Sequence, residues 1–536
     1  MTGVVAEEVE NIVQFRAIPY ATLPGRFKHS VLRENFNGLS RNFTKQGFAF
    51  PHTFTTDDIH SGGPYPGAEP IQTSEFESLI LQINVPLSHL KSINTRFSSQ
   101  TSLKKLPVMT YIHGGGFVLG KIDAHHSTAY MVQHSITTAQ PIIAINIQYR
   151  LGALGFMATP DGGKNFALYD QRNALLWIQK FIDGFGGDPS RMTAFGESAG
   201  GYSICYHMLS RPPPSGPLFN RAIIMSGVIG PVMMPISQQD ADKVYDKILE
   251  RLDVKEAGNA VLEKLRSLDV QKLVDASDYW TSKGNFWSPV DDSTFFRERP
   301  ITWDSIGELL AKCDWIDDII VGNTGFEGAV LLSFANTMTP QSLHNHIAEQ
   351  LSAKAAEKVM EAYNLTLDTD QNLFLTAAMR WGGDITFDVP IDAFSRCIAG
   401  HSNKRIYRYI FDVRNPFPNA PFYQQAHHWV DVYFVFRTMQ FRFSHQFLKQ
   451  ISDKHAGFWI AFANGKAPWS AYKDEQKLVM VADERDGWIE RTQQQHEELS
   501  GINFGRLKKL WDIWGEKKGE VFLPLNLATL HGSDAV

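Results

Sequence analysis

Short, nearly continuous apolar runs recur along this chain, each closed by glycines or polar turn residues. Residues 13–20, 106–113, 141–149, 191–195 and 221–226 read as strands, and residues 317–322 and 405–411 supply two later ones. Residues 76–85 alternate apolar and polar positions, the period-two mark of a strand. Between these runs the period lengthens. Residues 170–181 set Ala174, Leu175, Trp177, Ile178 and Phe181 at helical spacing, and residues 198–209 offer Ala199, Tyr202, Ile204, Cys205, Met208 and Leu209 for packing. Residues 235–273 and 348–363 are helical with charges at solvent spacing and read as insertions; residues 506–514 read as a closing helix. Apolar strands alternating with helices predict an α/β fold, a large mainly parallel sheet flanked by helices on both faces. No repeat, low-complexity tract or flexible linker interrupts the pattern, so residues 1–536 read as one domain.

Composition works by exclusion. At 536 residues and 43% hydrophobic, the chain can bury a large core. Its net charge is −6 and no basic cluster interleaves with aromatics, which argues against a nucleic-acid partner. No run reaches the ~18 apolar residues of a membrane span. The acidic N-terminus lacks the charged and apolar regions of a signal peptide, and Cys205, Cys313 and Cys397 lie far apart. An intracellular location with free thiols is the expectation, with neither a disulfide framework nor a zinc site.

One break in the pattern carries chemistry. The strand-like run at 191–195 passes into Gly196-Glu197-Ser198-Ala199-Gly200, and a helix follows. Gly-x-Ser-x-Gly between strand and helix resembles the nucleophile elbow of the α/β-hydrolases. A serine hydroxyl is a weak nucleophile until a base reaches it, and a sharp turn exposes it to one. Upstream, His113-Gly114-Gly115-Gly116-Phe117 follows another strand. Glycines let backbone N–H groups approach a ligand, so Gly115, Gly116 and Ala199 are the candidate donors of an oxyanion hole.

These segments occur with others in a characteristic order. Phe15-Arg16-Ala17-Ile18-Pro19-Tyr20-Ala21, Gln148-Tyr149-Arg150-Leu151-Gly152, Asp170-Gln171-Arg172-Asn173-Ala174-Leu175 and Phe185-Gly186-Gly187-Asp188-Pro189 all precede the elbow. Together they resemble the type-B carboxylesterases, the carboxylesterase, cholinesterase and lipase family, over most of the chain. The resemblance implies a serine carboxylic ester hydrolase working through a covalent acyl-enzyme on small to medium apolar or aromatic esters, with no metal or organic cofactor. It also implies an acid in Asn323-Thr324-Gly325-Phe326-Glu327-Gly328, giving Glu327. The base is one of two adjacent histidines. The family's His-x-x-Asp-x-x-Tyr-Val-Phe fits His428 through Phe436, with Phe434 at the tyrosine; His427 leaves Asp431 and Val435-Phe436 one position out. The catalytic set is then Ser198, Glu327 and His428. Glu197 and Ser226 are candidates to support it, or residues that only satisfy local hydrogen bonds. Phe117, Trp287 and Phe434 are candidate walls of the substrate pocket, or ordinary core aromatics.

The chain departs from that family's pattern in instructive places. Residues 78–85 lack the early cysteine of secreted members, residues 51–75 hold no tryptophan for a choline group, and a disulfide-closed lid is missing. Choline esters and large triglycerides are disfavoured on that ground. Two readings compete with hydrolysis: an acyltransferase or lactone-forming enzyme using the same acyl-enzyme, and a catalytically silent adhesion or scaffold homologue.

Overall fold

The computed structural model describes residues 1–53, 60–96, 104–401 and 404–515. Its strands are β1 (Val4–Val5), β2 (Ile12–Pro19), β3 (Ala21–Thr22), β4 (Val31–Leu32), β5 (Ile80–Pro86), β6 (Leu106–Ile112), β7 (Ile143–Ile147), β8 (Gly187–Glu197), β9 (Arg221–Met225), β10 (Asp318–Thr324), β11 (Arg405–Phe411), β12 (Leu478–Asp483) and β13 (Gly487–Thr492). Eleven of them form one sheet in the order β1-β2-β5-β7-β6-β8-β9-β10-β11-β12-β13; β3 and β4 pair separately. From β7 through β12 every pairing is parallel, while β1, β2, β5 and β13 run antiparallel at the edges.

The central strands are buried on both faces, as a covered parallel sheet requires. On β8 the side chain of Ala194 joins one core and that of Phe195 the other; Ile224 and Ile223 on β9 divide in the same way. The helices Phe166–Phe181 and Ala199–Leu209 pack in the first core, and Gln446–Ala463 in the second.

The expected strands formed, with shifted ends. β5 starts at Ile80 rather than 76, and the helix expected at 170 begins at Phe166. β8 extends well before 191, because Gly187 pairs with Leu106 and the register then shifts until Met192 pairs with Val108, so residues 188–191 lie in the strand without carrying an apolar pattern. The hairpin β12–β13 was not among the expected strands: β12 is a buried apolar run that the pattern offered, whereas β13 leaves Ile489 and Glu490 exposed at the sheet edge. The helical stretch 235–273 is three helices, Gln238–Arg251, Asn259–Ser267 and Val270–Ser282. Among the described residues no helix is long and apolar enough to cross a membrane, and no group of three His, Cys, Asp or Glu could hold a metal ion. All three cysteines are free.

Candidate active site

The loops leaving the carboxyl ends of β6, β8, β9, β10 and β11 meet, as ligand sites of parallel α/β sheets do. Backbone hydrogen bonds lace them together. Ser198 N donates to Met225 O (2.9 Å), Ser226 N to Gly322 O (2.8 Å), Gly325 N to Phe411 O (3.0 Å) and Phe326 N to Ala426 O (2.8 Å). Residues remote in sequence are thereby held by the sheet's own ladder.

Ser198 stands between β8 and the helix Ala199–Leu209 with φ 54° and ψ −120°, a backbone region L-residues rarely occupy. Such strain typically costs about 1–3 kcal/mol and persists where the surroundings over-determine it. Here they do. A Cβ at Gly200 would overlap the Ile112 carbonyl oxygen, and one at Gly227 would overlap Ser198 O. The elbow is wedged between neighbouring strands with no room to relax. Ser198 retains 9% exposure.

The glycine loop is shaped by its sequence neighbours. Tyr149 Oη donates to His113 O (2.7 Å) and its ring stacks on His113 with centroids 4.2 Å apart. Gln148 Nε2 donates to Gly120 O (3.1 Å), and Arg150 is held by Asp170 through two hydrogen bonds of 2.7 and 2.8 Å. Gly115 (φ 103°) and Gly116 (φ 60°) take conformations suited to glycine. Among the described residues the N–H groups of Gly115, Gly116 and Ala199 donate no backbone hydrogen bond. The third also opens a helix, whose dipole favours negative charge at that end.

Glu327 is buried and fully engaged. Its Oε1 accepts from Ser226 Oγ (2.7 Å) and Thr324 N (2.6 Å), and its Oε2 accepts from His428 Nδ1 (2.5 Å). Burial alone would raise its pKa; the adjacent imidazole and these hydrogen bonds more than offset that and hold it below its ordinary value. Ser226 is therefore joined to Glu327 directly. Glu197 meets the opposite edge of the ring, with Oε1 3.0 Å from His428 Nε2. The imidazole thus lies between two carboxylates. Both ring nitrogens face carboxylate oxygens in this arrangement rather than the Ser198 hydroxyl.

The adjacent histidines have separate surroundings. His427 donates from Nδ1 to His428 O and accepts at Nε2 from Asn415 Nδ2 (3.0 Å), so both its nitrogens are occupied away from Glu327. Burial pushes its pKa down to about 3. Asp431, one helical turn beyond, accepts from Tyr409 Oη (2.9 Å); burial and the charge of Glu327 push its pKa up to about 7.

The three aromatics read as pocket walls all lie in the core. Phe117 packs on Phe156, Trp287 near Trp280, and Phe434 between Phe411 and Phe443. Phe434 belongs to the core on the other side of the sheet from Phe117 and Trp287. An aromatic residue type does not say which side of a sheet it faces. The aromatic that does meet the imidazole is Phe387, its ring centroid 4.3 Å from that of His428. It had no motif to mark it.

Comparisons with known proteins fix the family and the fold. Residues 2–505 match the family model described as "Carboxylesterase family". Lipase 3 of Yarrowia lipolytica is 26% identical over 523 residues, covering 95% of this chain and 97% of that protein. The para-nitrobenzyl esterase of Bacillus subtilis is 29% identical over 412 residues, with coverages of 72% and 78%. A solved structure titled PNB esterase shares the fold, with a TM-score of 0.70 over 93% of this chain and 96% of its own, at 24% identity. With an α/β-hydrolase sheet and a family match from its second residue to beyond β13, this chain belongs to the carboxylesterase family and is a carboxylic ester hydrolase.

Proposed function

We propose that Ser198, His428 and Glu327 form the catalytic triad of a serine esterase acting on small to medium apolar or aromatic esters. The observation that carries this is the Glu327 Oε2 to His428 Nδ1 hydrogen bond of 2.5 Å beside a serine held at φ 54°. A swing of the imidazole moves Nε2 from Glu197 to the Ser198 hydroxyl; catalytic hydrogen bonds are often completed only when substrate is present. His428 takes the Oγ proton as Oγ attacks the ester carbonyl. The oxyanion accepts hydrogen bonds from Gly115, Gly116 and Ala199, each typically worth about 100- to 1000-fold in rate. His428 then returns the proton to the departing alkoxide oxygen. Water, deprotonated by the same nitrogen, attacks the acyl-Ser198 ester; the bond to Oγ breaks as His428 returns that proton to Ser198 Oγ, and the carboxylic acid leaves. Glu327 keeps Nδ1 protonated and stabilises the imidazolium throughout.

The substrate class draws support from the relatives, whose names include lipases and a para-nitrobenzyl esterase, and from the aromatic ring of Phe387 at the base. The test is turnover of p-nitrophenyl esters of increasing acyl length by the wild type and by Ser198→Ala, with fluorophosphonate labelling followed by peptide mass. Turnover only by the wild type, with the label on Ser198, is the expected outcome. Labelling elsewhere with loss of activity would overturn the assignment. A transfer product that dominates at low alcohol concentration would make the enzyme an acyltransferase.

A further inference from the structure

The helix Gln371–Gly383 does not simply continue into the helix Val389–Ala399. Between them, Asp384–Asp388 forms one turn of wider π-helical pitch. Such turns are uncommon and are frequent at functional sites. This one touches His428 and the segments that carry Ser198 and Glu327. Thr386 O accepts from Tyr202 Oη (3.0 Å), one helical turn beyond Ser198. Gly383, at the entry to the turn, lies so close to the acid loop that a Cβ there would overlap Gly328 N and stand 3.2 Å from Glu327 C. Asp388 accepts from Asn323 Nδ2, in the strand that leads to Glu327. Phe387 covers the His428 ring, 4.3 Å between centroids and 31° between planes, and is only 5% exposed. The turn is itself anchored: Asp384 accepts from Tyr363 Oη (2.5 Å) and from Arg506 Nε (2.7 Å).

We infer that Phe387, presented by this π-helical turn, is a positioning residue for the His428 imidazole, and that the turn keeps the nucleophile, acid and base in common register. The inference rests on His428 being the base for Ser198. The hydrogen bond to Glu327 pins one edge of the imidazole. Its other edge has two oxygens to choose between, on Glu197 and on Ser198. A flat ring against its face resists tilting while leaving the ring free to slide in its own plane, which is the motion that exchange needs. The same ring excludes water from the face it covers.

The test compares Phe387→Leu, Phe387→Met and Phe387→Tyr in the full chain, each checked for a wild-type unfolding transition, with His428→Ala as control. For p-nitrophenyl acetate, the Leu and Met variants lose about 10- to 100-fold in kcat with KM within threefold, the scale of a misplaced catalytic group. The Tyr variant recovers most of the loss. Three results overturn the inference: a folded Leu or Met variant with wild-type kcat, a change confined to KM, or an equal loss in the Leu and Tyr variants. If His428→Ala itself retains full turnover, the triad assignment fails and the inference falls with it. If His428→Ala is inactive while Phe387→Leu keeps full kcat, only the inference fails.

Discussion

The proposed nucleophile side and the proposed acid–base side of this site are built in opposite ways. Ser198 is set by a few consecutive residues and by backbone collisions: strand, strained turn and helix, with glycines where neighbouring chains leave no space. Glu327 and His428 are 101 residues apart and meet through side-chain hydrogen bonds, parallel loops and a ring contact. Steric construction fails abruptly when an atom is added. Polar construction fails by degrees, according to which partner is lost.

The largest expected effect separates the two adjacent histidines. His428→Ala lowers kcat/KM for a p-nitrophenyl ester by about 10⁴- to 10⁶-fold, as loss of a triad member does. His427→Ala stays within about tenfold while losing about 1–3 kcal/mol of stability from its two buried hydrogen bonds. A reversed pair of results would move the base to His427. Next, Glu327→Gln keeps the carbonyl acceptor but removes the charge that stabilises the imidazolium. A fall of about 10³- to 10⁴-fold in kcat is expected, together with a loss of stability at neutral pH, because the contribution of the ionised carboxylate to the fold goes with its charge. A loss under tenfold would make Glu327 a structural residue.

Gly200→Ala tests the steric side. The added methyl meets the Ile112 carbonyl with no flexible side chain to yield, so a loss of about 3 kcal/mol or more is expected in denaturant unfolding. A variant of normal stability would show that the elbow has slack after all.

The smallest effect concerns pH. Asp431 titrates at about 7 in the fold against an ordinary 3.8, so the folded protein binds the proton more tightly. Its contribution is greatest at low pH and is lost as pH rises between those values. Asp431→Asn removes this dependence and keeps the acceptor for Tyr409, so it should exceed the wild type in stability at pH 8 by about 1–2 kcal/mol and match it near pH 4. Glu327 has the opposite sign. Its depressed pKa contributes stability above the ordinary carboxylate range, lost as pH falls through the folded value. If Asp431→Asn loses stability equally at both pH values, Asp431 has a hydrogen-bonding role alone.

Legibility followed the same divide. The elbow could be read because Gly196-Glu197-Ser198-Ala199-Gly200 is one local object with apolar patterns on either side. Glu327 and His428 were legible only through family spacing, since a lone glutamate or histidine has no local signature. Phe387 was not legible: its turn departs from helical pitch where packing brings Gly383 against Gly328, and no periodicity records that contact. Phe117, Trp287 and Phe434 attracted attention by residue type, yet their neighbours put them in the core. Of the hairpin β12–β13, only β13 was hard to read, because an edge strand needs only one covered side; β12 carries an apolar run at 478–482.

By itself the sequence determined the alternation of strands and helices, the mainly parallel sheet, the strained serine turn and the glycine loop. Each is governed by contacts among near neighbours or by the period of apolar residues. Tertiary structure alone decided which oxygen each nitrogen of His428 faces, which aromatic covers its ring, and which way Asp431 titrates. Those outcomes depend on distances between segments remote in the chain, and hydrogen bonding, desolvation and ring contact all vary steeply with distance.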